Sequence, residues 1–215
     1  MKIGVIAGTP VDTQMGVDYI VSKGHEAVGF ACSKSASEQN EMQILHKEEL
    51  LKIAIEGCLD MVKQGAQGIF VNCNSLSGAI DMDTLKKEVP VCVVTPLDIY
   101  RICAEKYQRL AVMAANGQSL SAIERTILGA NPECSVFGAG ILPLVIAIET
   151  EKTSEEIYQE LAIRKLTECF EAIGCDALIL GCTHFPYIEK EVRENIGVEV
   201  INPSDQMLDI LKSSR

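Results

Sequence analysis

An internal repeat constrains this chain more than any other feature of its 215 residues. Gly68-Ile69-Phe70-Val71 leads through Asn72 to Cys73, and Ala177-Leu178-Ile179-Leu180 leads through Gly181 to Cys182. The two cysteines are 109 residues apart, as are Gly65 and Gly174, the glycines that close the preceding helical stretches. Ile3-Gly4-Val5-Ile6-Ala7-Gly8-Thr9 parallels Leu110-Ala111-Val112-Met113-Ala114-Ala115-Asn116 at an offset of 107. Thr95-Pro96-Leu97-Asp98 parallels Asn202-Pro203-Ser204-Asp205 at the same offset. Three landmarks in common order imply duplication of one unit of about 107 residues.

Within each unit, short runs rich in Val and Ile alternate with longer amphipathic stretches, the pattern of βα units on a parallel sheet. The first half reads strand Lys2–Ala7, loop 8–16, helix from about Val17, strand Ala27–Ala31 and polar loop 32–41. Helix 42–64, strand 68–72, helix 76–87 and strand Val91–Val94 complete it. The second half reads strand Leu110–Ala115, helix 119–129, strand Ser135–Ala139, helix 153–173, strand 177–181, helix 186–195 and strand Val198–Ile201. The expected fold is α/β: two pseudo-symmetric lobes, each a parallel sheet flanked by helices, with the active site in the cleft between them. The lobes are expected at 1–97 and 98–203, with the final helix, 204–215, packing back on the first.

Composition narrows the function classes. A net charge of −11 with only 19 Lys and Arg disfavours nucleic acid and anionic membranes as partners. No apolar stretch reaches the roughly 18 residues of a membrane span. Nine cysteines, an odd number without a CxxC pair, and a strand directly after Met1 point to free thiols in the cytoplasm rather than a disulfide scaffold. Three scattered histidines, His25, His46 and His184, offer no close metal-ligand pair, so neither metal nor cofactor is expected. The expected partner is a small molecule, and a homodimer is the candidate assembly.

Parallel sheets bind ligands beyond the carboxyl ends of their strands. Cys73 and Cys182 both lie there, each just before a helix whose N-terminus favours a thiolate. Asn74, Ser75, Thr183 and Ser204 can bond a carboxylate or ammonium group nearby. Two facing thiols, one ionised and one protonated, can remove a proton from one face of a carbon and return one to the other. The alternative for a thiolate is addition to a carbonyl or alkene, which needs one cysteine and a base. The other seven cysteines (32, 58, 92, 103, 134, 169 and 175) read as small buried hydrophobes, with Cys58 and Cys169 at helix positions that read as core.

Val71-Asn72-Cys73-Asn74-Ser75 and Leu180-Gly181-Cys182-Thr183-His184-Phe185-Pro186 resemble the two catalytic segments of the aspartate/glutamate racemase superfamily. The second resembles glutamate racemase most, and the resemblance runs over nearly the whole chain, with Ile3–Gly8 and Leu142-Pro143-Leu144-Val145 also in place. It implies a cofactor-independent amino-acid racemase using two bases. Cys73 and Cys182 would be the acid/bases, His184 would assist Cys182, and Asn74, Ser75 and Thr183 would hold the substrate. Glu149 matches an acidic residue near such sites, and Thr9 and Asn116, at matched strand ends, join the substrate-binding candidates.

The departures concern the substrate. Ala7-Gly8-Thr9 stands where glutamate racemases carry Asp-Ser-Gly; Asp12 could substitute for that aspartate or simply form a turn. The Pro-Tyr-Gly loop is replaced by residues 32–40; Lys34, Gln39 and Gln43 on and after it are candidates for a substrate side chain, with Arg101 more distant. Without such a cation the substrate would be a neutral or basic amino acid. Hydantoin racemase, maleate isomerase and a non-catalytic amino-acid-binding protein of the same fold are the alternatives. A decarboxylase of the superfamily would keep only one thiol.

Overall fold

Short apolar runs rich in Val, Ile and Ala pair as strands, and eight do so among the described residues. In the computed structural model, which describes residues 1–35, 38, 41–42, 46–149 and 152–214, every paired strand is parallel to its neighbours. The chain divides into two units, Met1–Asp98 with Ser204–Arg215, and Ile99–Pro203.

The first unit holds β1 (Lys2–Ala7), α1 (Pro10–Ser22), β2 (Glu26–Ala31), α2 (Lys47–Lys63), β3 (Ile69–Val71), α3 (Asn74–Ala79), α4 (Met82–Glu88) and β4 (Val93–Val94). Its sheet order is β2-β1-β3-β4. Helix α5 (Pro96–Lys106) follows β4. The second unit continues with β5 (Arg109–Ala114), α6 (Gly117–Ala130), β6 (Ser135–Gly140), α7 (Leu142–Ile148), α8 (Ser154–Glu160) and α9 (Ile163–Ala172). It ends with β7 (Ala177–Gly181), a 3₁₀ turn at Phe185–Ile188, α10 (Glu189–Glu194) and β8 (Glu199–Ile201), in sheet order β6-β5-β7-β8. The last helix, α11 (Pro203–Ser213), starts at the end of β8 and lies mostly in the first unit.

The registers prove the repeat. Gly4 pairs with Ile69 in the first sheet, and Ala111 with Leu178 in the second. Ile69 pairs with Val93, and Leu178 with Val200. Both sets are related by the 107- and 109-residue offsets read from the sequence. A one-residue slip would exchange the two faces of every strand, so matched registers mean matched faces.

Alternation then assigns the two sides of β3. Ile69 and Val71 join the apolar cluster that includes Leu50, Ala54, Cys58 and Met61 of α2, together with Cys73. Phe70 points the other way and stacks on Tyr19 of α1, ring centroids 5.9 Å apart. In the second unit, Leu178, Leu180 and Cys182 share a cluster with Leu144 of α7, Tyr158 of α8 and Phe170 of α9.

Local boundaries differ from the sequence reading where capping intervenes. The expected loop 8–16 is helical from Pro10, because Thr9 caps the helix, Pro10 fits the first turn and the Asp12 amide donates to the Thr9 hydroxyl oxygen at 3.2 Å. Helix 76–87 is two helices, because Asp81 caps a new one through the Asp83 and Thr84 amides. Helix 153–173 breaks at Ala162, which sits at φ 52° between α8 and α9. Helix 186–195 begins as a 3₁₀ turn and continues as α10. Helix α7 adds an element, with Pro143 in its first turn, that the sequence pattern does not mark.

Cys169 corrects a second expectation. It is exposed, because α9 turns Ile163, Thr167 and Phe170 inward and leaves position 169 off that face. Cys32, Cys58, Cys103, Cys134 and Cys175 are buried, and Cys92 is half-buried. Burial pushes the Cys58 and Cys103 thiols up to about 12, and it raises Cys32 too, with Cys58 and Cys73 adding to the effect. A raised folded value means that the unfolded chain ionises first. The stability involved is intact below the ordinary value of 9.0 and is lost as pH climbs towards 12. Iodoacetamide at pH 8 is therefore expected to label Cys169 and to spare Cys58 and Cys103, as peptide mass spectrometry would read. Labelling of the buried pair at the rate of Cys169 would contradict this.

Candidate active site

Each cysteine of the repeat follows the central stretch of its sheet, and each is nearly buried: Cys73 is 5% exposed and Cys182 8%. Their local settings are not copies. Cys73 is the N-cap of α3, with extended backbone (φ −160°, ψ 118°), and its Sγ accepts the Leu76 amide at 3.4 Å. A donor aimed at sulfur favours negative charge on it. The Ser77 hydroxyl and amide both donate to the Cys73 carbonyl, at 2.7 and 3.1 Å, and pin the turn.

Cys182 has a side-chain partner. His184 Nδ1 lies 3.7 Å from Cys182 Sγ, and His184 Nε2 lies 3.1 Å from Glu149 Oε1. His184 is buried, whereas the Glu149 side chain, at the C-cap of α7, is 54% exposed. The geometry follows from the turn after β7. The Phe185 amide donates to the Cys182 carbonyl at 3.1 Å, and this tight turn brings residue 184 back beside residue 182. A carboxylate on one ring nitrogen fixes which tautomer faces the thiol, so a proton can pass between sulfur and imidazole while Glu149 holds the ring.

The other candidates divide. Thr9 and Asn116 occupy equivalent N-caps, of α1 and α6; Asn116 Oδ1 accepts the Ser119 amide at 2.9 Å. Asp12 belongs to the first cap: its carboxylate accepts the Thr9 hydroxyl at 3.1 Å while its amide donates back. Asp12 stands in the first turn of α1. Asn74 and Thr183 are half-buried immediately after the two cysteines, and Ser75 is exposed. Gln39 and Gln43 lie outside the described residues. Lys34 is exposed and its backbone amide donates to Glu38 Oε2 at 2.6 Å.

Lys34 also lines a cavity of about 450 Å³ at the carboxyl end of β2. Cys32 lies at its wall, and its polar lining includes Lys34, His46, Glu38, Glu41 and Glu49. Among the described residues no three His, Cys, Asp or Glu side chains gather as a metal site. No disulfide joins the cysteines, and no described helix is long and apolar enough to cross a membrane.

Sequence reasoning passed over Asn72. It is buried, and its Nδ2 donates to the Asp12 carbonyl at 2.8 Å. The available signals were a polar residue between Val71 and Cys73, and Gly16, a glycine inside a helix, where it costs about 1 kcal/mol unless packing requires it. Packing does require it, since a Cβ at Gly16 would lie 2.8 Å from Asn72 Nδ2 and 2.7 Å from Val5.

Comparison with known proteins agrees with this architecture. A glutamate racemase of Limosilactobacillus reuteri is 28% identical over 163 residues, covering 74% of this chain and 60% of its own length. One from Ralstonia pickettii is 30% identical over 145 residues, covering 65% of this chain and 50% of its own. The chain thus matches about half to three-fifths of the length of these relatives. Among solved structures, an aspartate racemase homologue from Pyrococcus horikoshii superposes with a TM-score of 0.72 at 19% identity, covering 99% of this chain and 97% of that one. An allantoin racemase from Klebsiella pneumoniae gives 0.70 at 17%, covering 99% and 86%. The family model described as Asp/Glu/Hydantoin racemase matches residues 4–209, and with that match added to two strand-end thiols in duplicated registers, the chain belongs to the Asp/Glu/Hydantoin racemase family.

Proposed function

We propose that this protein is a cofactor-independent amino-acid racemase of the aspartate/glutamate type, in which Cys73 and Cys182 exchange protons with one Cα from opposite faces. The observation that carries the reading is the pair of thiols at equivalent strand ends, each supplied with its own proton-directing contact. Cys73 has the Leu76 amide, and Cys182 has His184 backed by Glu149. A two-base inversion needs both, because one group must be unprotonated when the other carries the proton to be delivered. Near-burial of both sulfurs fits the chemistry, since a carbanion at Cα is stabilised by fixed dipoles only where water is kept out. Asn74 and Thr183, half-buried beside the thiols, supply amide and hydroxyl groups for the substrate's carboxylate and ammonium. Nine thiols without a disulfide suit a reducing compartment such as the cytoplasm.

A second reading concerns the substrate alone. The cavity at the end of β2 carries three carboxylates against Lys34 and His46, a lining that favours a neutral or cationic side chain over a second carboxylate. The related solved structures include allantoin racemases, so a cyclic ureide belongs in the same trial. The test is chiral chromatography after incubation with each enantiomer of aspartate, glutamate, neutral and basic amino acids, and hydantoins, without added cofactor. Conversion of one amino acid in both directions to an equal mixture is expected. Failure to convert any amino acid would overturn the racemase reading, and conversion of a hydantoin alone would move the chain to the other branch of its family.

A further inference from the structure

We propose that Asn72 is a positioning residue for the first thiol, clamping the opening turn of α1 to the strand end that carries Cys73. It rests on the reading of Cys73 as a base. Alternation along β3 puts Cys73 on the α2 side of the sheet and Asn72 on the α1 side. There the Asn72 side chain meets two parts of α1. Nδ2 donates to the Asp12 carbonyl at 2.8 Å, and Gly16, one turn further on, leaves the room that the side chain fills. The Asn72 amide also donates to the Ile6 carbonyl of β1 at 2.8 Å, so backbone and side chain tie residue 72 to β1 and α1 together.

The clamp reaches the candidate site from both ends. Asp12 is held to Thr9 by two hydrogen bonds, so fixing the Asp12 carbonyl fixes the Thr9 cap. Residue 73 follows directly, and its extended backbone is what lets Sγ accept the Leu76 amide. A shift of residue 72 would therefore move the Thr9 turn and loosen the donor on sulfur. The second unit cannot use the device. Gly181 takes the equivalent place, and a Cβ there would lie 2.7 Å from Ile123 Cδ1 and 2.9 Å from the Met113 carbonyl. That unit orients its thiol with His184 and Glu149 instead. Two units of matching register thus hold their sulfurs by different means.

Asn72→Asp keeps the volume and removes the donor, and Asn72→Ala removes both. In each variant the alkylation rates of Cys73 and Cys182 by iodoacetamide are followed separately across pH by peptide mass spectrometry, beside racemase kcat and KM. A misplacement of the reacting group by about 1 Å costs on the order of 100-fold. We expect Cys73 alkylation near pH 7 to slow about tenfold, its profile to move to higher pH and kcat to fall by about 10–100-fold. Cys182 alkylation should stay within about twofold, since its thiol is oriented by His184 of its own unit. An unchanged Cys73 profile, or equal changes at both thiols, would overturn the proposal, because a residue that served only the fold would leave the first or cause the second. A further arm needs no variant: in the wild-type protein the two Nδ2 protons should give distinct, slowly exchanging NMR signals. Rapidly exchanging Nδ2 protons would overturn the clamp even if neither variant folds. If the wild-type protein racemised nothing while Cys73 alkylation still responded to Asn72, the clamp would stand and the racemase reading would fall.

Discussion

Cys73→Ser and Cys182→Ser are each expected to lower racemisation by about 10²–10⁴-fold, the usual worth of a positioned acid or base. A hydroxyl matches the thiol in shape, but its proton is held far too tightly for it to serve as a base near neutral pH. Because the equilibrium constant of a racemisation is one, kcat/KM must fall equally in both directions whichever thiol is replaced. The two variants still differ in what they retain. Each keeps one base, so each should exchange the α-proton of one enantiomer with solvent without inverting it, and the enantiomer should be opposite in the two variants. Retention of exchange for the same enantiomer in both would mean that the two thiols act on the same face of Cα, and loss of all exchange in one variant alone would mean that one thiol does all the proton removal. A binding protein without turnover would instead show no exchange in any form and unchanged ligand affinity in both variants.

The second large effect is expected at His184. Its imidazole faces Cys182 Sγ at 3.7 Å and is buried, so His184→Ala removes a proton partner and leaves a space in the turn. A loss of about 100-fold in kcat is expected, with the pH dependence of Cys182 alkylation changed and that of Cys73 retained. Glu149→Gln should cost less, about tenfold, because the carboxylate is half exposed and acts only by holding the ring. His184→Ala with Glu149→Gln should be no worse than His184→Ala alone, since the carboxylate has then lost the ring it orients. Additive losses would mean that Glu149 acts on the substrate directly.

What the sequence makes legible here is whatever periodicity and duplication encode. Both sheets, their parallel order and the equivalence of Cys73 with Cys182 follow from apolar runs repeated at fixed offsets, and the paired registers agree with those offsets. Cys182, His184 and Glu149 share a motif or a family position, and the fold brings them into one line. Capping is legible too: Thr9-Pro10-Val11-Asp12 announces a helix start that overrides the loop-like look of the segment. The break at Ala162 has no such local signature, since a single left-handed residue is imposed by the packing of α8 and α9 on the same cluster. Asn72 is marked as unusual by its polar place beside Cys73, but the contact it makes is illegible for a different reason. Its partner is a backbone carbonyl 60 residues away, and no pattern in side-chain types records which carbonyl a strand end will meet.

The most direct test of two-base inversion is a brief incubation of each pure enantiomer in deuterated water, with the Cα label read by mass spectrometry before a tenth of the substrate has turned over. Two separate thiols predict that every product molecule carries solvent deuterium while the unconverted substrate keeps its original proton, from either direction. Product that retains the substrate's own proton, or deuterium appearing as fast in recovered substrate as in product, would contradict the account, because a single group would then be lifting the proton and putting it back.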